Sequence, residues 1–249
     1  MIHYHGTPIG GKVTDAVEIL RGRHALVSYA HTDQLNVVLD QCQSFILDNG
    51  AFSEWKKTGG GINFADYHKW VQGFAQHPNF DWCLIPDVIG GEEEENVDLV
   101  YKWLRTGSQA KGVPVYHMHE SLEWLEWLVD NFEWVAIGSS GQWPNPGVGG
   151  WWDRMNELMS VCCDGDGRPK AKLHGLRMLD PEIFKHLPLS GADSTNAARN
   201  NNQLSRYGMY PPPTAGQRAA TIANRVESYN SSAVWVNGGQ TMDLFNESA

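Results

Sequence analysis

The sequence predicts an α/β fold, a single (β/α)8 TIM-type barrel spanning residues 1–249. Three observations carry that expectation. Eight short apolar or β-branched runs alternate with amphipathic stretches, the pattern of a parallel sheet covered on its outer face by helices. A length of 249 residues suits one barrel and is enough to bury a sizeable core. No glycine-rich dinucleotide fingerprint follows the first run, which argues against an open doubly wound sheet.

The strand candidates, in chain order, are IHYHGT (2–7), HALVSYA (24–30), SFILDNGAF (44–52), DWCLIPDVI (81–89), VPVYHMH (113–119), WVAIGSS (134–140), AKLHGLRML (171–179) and LSGADST (189–195). Helices are expected between them. The second unit, whose helix DQLNVVLDQ is short, and the seventh match the repeat least well. In NFADYHKWVQGFAQ the residues Phe64, Tyr67, Trp70, Val71 and Phe74 recur at helical spacing. GGEEEEN reads as a helix start whose acids complement the dipole. SLEWLEWLVDNF, WWDRMNELMSV and TAGQRAATIANRVESY are amphipathic, and YPPPTAGQ is a stiff turn into the last helix. No internal repeat, linker or low-complexity segment divides the chain.

Composition narrows the function classes. A net charge of -10 excludes a protein that coats nucleic acid by bulk electrostatics, though not an enzyme with a local basic patch. The N-terminus lacks the basic flank and apolar run of a signal peptide, and no apolar stretch reaches membrane-spanning length. The four cysteines (Cys42, Cys83, Cys162, Cys163) form no CxxC pair, so neither a disulfide framework nor a structural zinc site is expected. The expected setting is the reducing cytoplasm, with no cofactor, metal or membrane partner.

Chemistry in such barrels gathers at the C-terminal ends of the strands. Those positions hold His3, His5 and Thr7 after the first strand, Asp48 and Asn49 after the third, and Asp87 after the fourth. His117, His119 and Glu120 end the fifth, Gly138 to Ser140 the sixth, His174 and Arg177 lie on the seventh, and Asp193 and Ser194 end the eighth. Asp48, Asp87 and Asp193 each stop an apolar run that has no local need of charge. One such acid is commonly a turn or helix cap, but three around one rim point to function.

Two chemistries fit that rim. Metal-dependent hydrolysis is one: HxH on the first strand, a histidine on the fifth and an aspartate on the eighth resemble the amidohydrolase superfamily. The sixth strand ends AIGSSG, however, without the histidine that family uses there. Period-2 histidines in HYH and HMH equally suit the wall of a pocket. The other chemistry is cleavage of an N-glycosidic bond. A carboxylate near the anomeric carbon stabilises or bonds to an oxocarbenium-like sugar, while a second acid manages the proton on the departing base. Asp193 and Asp48 could supply that pair, with Asp87 accepting hydrogen bonds from a guanine-like base.

The order of the motifs favours the second chemistry. LDNGAF (47–52) resembles the Asp-Ser-Gly-Gly-Phe motif of tRNA-guanine transglycosylases, and PDV (86–88) resembles their base-recognising aspartate. AIGSSG (136–141) falls where that family has a glycine pair lining the base pocket, and KLHGLRM (172–178) resembles the strand covering the base. GADSTNAARN (191–200) resembles the strand end that bears the nucleophile. The resemblance implies Asp193 as nucleophile, Asp48 as general acid/base and Asp87 as base-binding acid. It places Asn49, Gly50, Phe52, Gly138, Ser139, His174 and Arg177 around the substrate; His117 and His119 at the fifth strand end and His5 and Thr7 from the first are expected in the same pocket. The family's zinc site, three cysteines and a histidine beyond the nucleophile, has no counterpart, because no cysteine follows Cys163. That absence and the short chain resemble the compact branch of phages and genomic islands, which exchanges guanine in DNA for a free 7-deazaguanine.

The implied partners are therefore DNA and a free 7-deazaguanine such as preQ0, while the oligomeric state stays open. A base in a duplex must be flipped out or presented single-stranded. Trp143, in the loop GQWPNPGVGGWW with Trp151 and Trp152, is expected to stack on bases, or else these rings simply cap the barrel. Arg199 and Arg206 are expected at phosphates, with Arg177 as a further candidate. Competing readings are a DNA glycosylase that excises a modified base in phage defence, a catalytically silent nucleic-acid-binding barrel, and the metal hydrolase.

Overall fold

The protein is described by a computed structural model covering residues 1–199 and 211–236. In chain order the elements are β1 (Ile2–Gly6), α1 (Val13–Leu20), β2 (His24–Ser28), α2 (Leu35–Gln41), β3 (Ser44–Asp48), α3 (Ala51–Thr58) and α4 (Phe64–Gln72). Then come β4 (Phe80–Leu84), α5 (Glu93–Arg105), β5 (Gly112–Val113), β6 (Val115–His117), α6 (Leu122–Asn131), β7 (Trp134–Gly138) and α7 (Trp151–Cys162). The described chain finishes with β8 (Lys172–Gly175), α8 (Pro181–Phe184), β9 (Gly191–Ser194), α9 (Asn196–Arg199) and α10 (Ala215–Glu227).

All strand pairings are parallel, in the order β5-β4-β3-β2-β1-β9-β8-β7-β6. The two ends of that order, β5 and β6, flank Pro114. Proline has no N–H to give a ladder, so the strand is interrupted there. Its first half pairs with β4 and its second with β7, and the nine segments fill eight barrel positions. The fold is the expected (β/α)8 barrel.

Period-2 alternation sorts the side chains into two cores. Tyr4, Leu26, Ile46, Trp82, Leu84, Val113, Val115, Trp134 and Ala136 fill the barrel interior. Their strand neighbours, among them Ala25, Val27, Phe45, Leu47, Cys83, Val135, Ile137, Leu173 and Ala192, pack outward against the helices. The N-terminal end is closed by a polar knot. Tyr4 donates to Asp81 Oδ2 at 2.8 Å, Ser44 also donates to Asp81, and His24 Nδ1 lies 2.8 Å from Ser44 Oγ. The polar residues that remain lie at the opposite, C-terminal end, which is where a site can form.

Local chemistry explains the helix starts. The Asn63 side chain accepts from the backbone N–H of Ala65 and Asp66, Ser121 accepts from Trp124, and Thr214 with Gln217 forms a capping box. One difference from the sequence-based expectation matters. The run read as a strand through Phe52 stops at Asp48, because Gly50 adopts φ 78° and starts α3, a helix additional to the barrel repeat. The helix of the seventh unit, α8, is a single turn of four residues beginning at Pro181. In the second unit α2 does form, over seven residues. No helix among the described residues is long and apolar enough to cross a membrane.

Candidate active site

Three carboxylates, Asp48, Asp87 and Asp193, stand at or just beyond the C-terminal ends of β3, β4 and β9. Asp193 ends the inward-facing series of β9 and is 7% exposed. Its Oδ2 lies 3.0 Å from His174 Nε2 on the adjacent β8, and its Oδ1 accepts from the Arg177 backbone N–H at 3.3 Å. Arg177 is a non-glycine residue with φ 58°. That left-handed turn costs about 1 kcal/mol, and here it aims a peptide N–H at the carboxylate. His174 is fully buried, edge-on to Trp82 with ring centroids 4.9 Å apart, so its imidazole is held by packing.

Asp48 ends β3 beside Ser28, its register partner on β2. Asp48 is half-buried. Burial raises its pKa to about 7, and the negative charges of Asp193 and Asp87 add to the rise. The Ser28 hydroxyl and the Gly50 N–H, which donates to Asp48 Oδ2 at 3.2 Å, offset part of it. The charges of Asp193 and Asp87 both reach Asp48, as strand ends on one rim allow. Gly6 on β1 contributes by having no side chain: a Cβ there would come within 2.8 Å of Thr195 Cγ2.

Asp87 follows β4 and is 7% exposed. Asn49 Nδ2 donates to its Oδ1 at 2.6 Å and to the Ile85 carbonyl at 3.0 Å, while Asn49 Oδ1 accepts from the Ala51 N–H at 2.8 Å. His117 Nε2 lies 2.9 Å from Asp87 Oδ2. Burial, the largest single influence on His117, lowers its pKa, but the hydrogen bond and charge of Asp87 and the charge of Glu120 together outweigh it and the net shift is upward. Glu120 supports this corner from behind: its Oε2 accepts from the His117 N–H at 2.8 Å and its Oε1 from Asn96 Nδ2 at 2.7 Å. Asn96 Oδ1 in turn accepts from the Val88 N–H at 2.8 Å, next to Asp87. Each Asp87 oxygen retains a lone pair for an incoming N–H.

The other expected residues divide. Gly138 is the buried last residue of β7, where a Cβ would stand 3.7 Å from His117 Nδ1. Ser139 accepts from Trp151 Nε1 at 2.9 Å, and its carbonyl accepts from the Arg177 guanidinium at 3.3 Å. Phe52 stands exposed at the mouth with the Arg177 guanidinium 5.2 Å from its ring centroid. His119 braces loops instead of facing a ligand: Nδ1 lies 2.9 Å from Ser140 Oγ and Nε2 3.1 Å from the Gly91 carbonyl. The Thr7 hydroxyl is committed to the Leu26 carbonyl at 3.2 Å.

Several expectations are corrected. His5 turns outward from β1, and its Nε2 lies 2.8 Å from Glu227 on α10, so it lines no part of the mouth. His3 also faces outward, toward Phe184 and the Tyr229 carbonyl. An alternating strand puts Ile2, Tyr4 and Gly6 inside, and the two histidines then fall on the helix side. The HxH pair therefore cannot meet Asp193, and the amidohydrolase arrangement is not built. Among the described residues no group of three or more His, Cys, Asp or Glu side chains is arranged to hold a metal ion. Trp143 is not a free stacking platform, because it packs on the core with the Arg154 guanidinium 5.1 Å from its ring, and Trp151 is fully buried. Arg199 is exposed and lines, with Arg177, Ser194 and Thr195, a rim cavity of about 350 Å³. Arg206 lies outside the described residues.

Sequence reasoning missed Ser28 beside Asp48, and the His174–Asp193 pair, which joins two adjacent strands. It did not single out α3, where Trp55 is exposed and is followed by Lys56 and Lys57.

No family model matches the chain, and no curated protein matches it. Solved structures share the architecture. One, assigned as a fructose-1,6-biphosphate aldolase from Coccidioides immitis, superposes with a TM-score of 0.57 at 13% identity, covering 97% of this chain and 93% of that one. Another, from Aquifex aeolicus VF5, gives 0.52 at 11% identity over 91% and 90%. Identity this low establishes the barrel and leaves the chemistry to the side chains.

Proposed function

We propose that this protein is an enzyme that cleaves the N-glycosidic bond of a guanine nucleotide in DNA and installs a 7-deazaguanine in its place. The observation that carries the reading is the unequal pair at the mouth. Asp48 has its pKa raised to about 7, while Asp193 accepts from a peptide N–H and sits against an imidazole. Two acids with different environments can divide the roles of proton donor and nucleophile. The motif order shared with tRNA-guanine transglycosylases supports the same assignment.

In this reading a flipped nucleotide enters the mouth. Asp87, held by Asn49 and His117, accepts from the N–H edge of the base. An Asp193 oxygen attacks C1′, and the C1′–N9 electron pair leaves with the purine as Asp48 delivers its proton to a ring nitrogen. The incoming 7-deazaguanine gives its N9 proton to the Asp48 carboxylate, and its N9 displaces Asp193 from C1′. The proton and the glycosyl bond are both restored, so no cofactor is consumed.

The test is incubation of a guanine-containing oligonucleotide with the protein and labelled preQ0, followed by nucleoside mass spectrometry. Label in the DNA, absent with Asp193→Asn, supports exchange. Abasic sites without incorporation reject exchange in favour of hydrolytic excision, the same intermediate being taken by water. A biological effect that survives Asp193→Asn unchanged would indicate a silent binding barrel.

A further inference from the structure

The extra helix α3 has no counterpart in the barrel repeat, and the chemistry of the acid pair makes no use of it. Its sequence, AFSEWKKT, packs on the protein through Ala51, its one buried residue. Phe52 and Trp55 are 39% and 43% exposed, and their rings stack with centroids 6.2 Å apart at 27°. Cations surround the stack. Lys56 Nζ stands 4.5 Å from the Phe52 centroid, the Arg177 guanidinium stands 5.2 Å from the same ring, and Lys57 follows on the exposed turn. Glu54 is the one acid on the helix, in a chain whose net charge is -10.

The position is as telling as the composition. Gly50, which donates to Asp48, is the residue that caps α3, so the helix rises directly beside the proton-donating acid. Left-handed glycines bound it at both ends, Gly50 with φ 78° and Gly59 with φ 73°. An aromatic and cationic element thus stands between two left-handed turns, the first of them beside Asp48.

We propose that α3 is a docking platform for the DNA strand flanking the substrate nucleotide, with Trp55 stacking on a neighbouring base and Lys56 and Lys57 at its phosphates. The inference rests on the DNA-substrate reading above. Aromatic faces interleaved with Lys and Arg are what a single strand requires, since every base has a π-face and every linkage a charge. A second copy of the chain is the poorer occupant, because lysine is depleted in protein–protein interfaces. The surplus of cations on an otherwise acidic molecule supplies the charge complementarity.

The experiment is fluorescence anisotropy of a labelled single-stranded oligonucleotide with the full-length protein, repeated over a salt series without any free base. Trp55→Ala should weaken binding about tenfold. Lys56→Gln with Lys57→Gln should reduce the salt slope by about 1.4, two phosphates at roughly 0.7 each. Lys111→Gln with Lys172→Gln, a charge-matched control at the opposite end of the barrel, should leave the slope unchanged. Thermal melting checks that each variant folds as the wild type does. Wild-type DNA binding that none of the α3 changes alters overturns the platform and leaves base exchange standing. A wild type that binds no DNA removes both. If sedimentation shows a dimer that Trp55→Ala dissociates while DNA binding is unaffected, the face joins two copies and the proposal is overturned.

Discussion

His174 Nε2 stands 3.0 Å from Asp193 Oδ2 inside the barrel, and the ring's other nitrogen, Nδ1, is buried without a hydrogen-bond partner among the described residues. A histidine so placed has one task, to hold the carboxylate. His174→Phe keeps an aromatic ring against Trp82 and removes that hold. The expected result is a kcat about 10- to 100-fold lower with KM nearly unchanged, the cost of a misplaced reacting group. Steady-state kinetics on an oligonucleotide substrate would decide, and a loss confined to KM would contradict the positioning role.

Asp48 makes activity depend on pH in a definite direction. Its proton is the one given to the departing base, and its pKa is about 7. Above that value kcat/KM should fall about tenfold per pH unit, because the protonated fraction falls at that rate. A profile that stays flat to pH 9 would remove Asp48 from the role of acid.

The same residue links stability to pH. Its folded pKa of about 7 exceeds the ordinary carboxyl value of 3.8, so between these values the native state binds more protons than the unfolded chain. Stability therefore falls as pH rises through that window and levels off above it. Asp48→Asn removes the burden, and should raise stability at pH 8 by on the order of 2–4 kcal/mol while changing little at pH 4. Melting curves at the two pH values test this, together with the expected loss of turnover.

Asp87 and Asn49 should control the base rather than the bond. Asp87→Asn replaces an acceptor with a donor facing the N–H edge, for an expected loss of about 100-fold or more in kcat/KM, mainly through KM. Asn49→Ala frees Asp87 from its 2.6 Å partner and should cost less, about tenfold. Calorimetry with the free base separates the two effects from chemistry.

Arg177 is strained, with φ 58°. Arg177→Gly should relieve about 1 kcal/mol of backbone strain while deleting the guanidinium beside Phe52. The expected combination is a melting temperature equal to or above wild type with weaker substrate binding. Arg177→Ala keeps the strain and should melt lower than the glycine variant.

Much of the fold was legible because period and length are local properties. Each of the eight apolar runs contains a strand or the two halves of one, and the N-caps at Asn63, Ser121 and Thr214 are written in single residues. The extent of the third run was misread, since nothing in SFILDNGAF except Gly50 marks where extended backbone becomes helix. The loop tryptophans were equally ambiguous. Trp151 is a core residue while Trp55 is exposed, and aromatic composition alone does not tell them apart.

The amino-acid sequence by itself determined the alternation of strand and helix, and with it three acids at the ends of β3, β4 and β9. The tertiary structure alone decided the sense of each alternation. His3 and His5 share a face with one another, but only closure of the barrel made it the outer face, against α10. Pairing of β8 with β9 likewise brought His174 to Asp193, residues nineteen apart in the chain. The reason is physical. A period of two states which residues point the same way, whereas inside and outside exist only once the strands have found their partners and the helices have covered one surface.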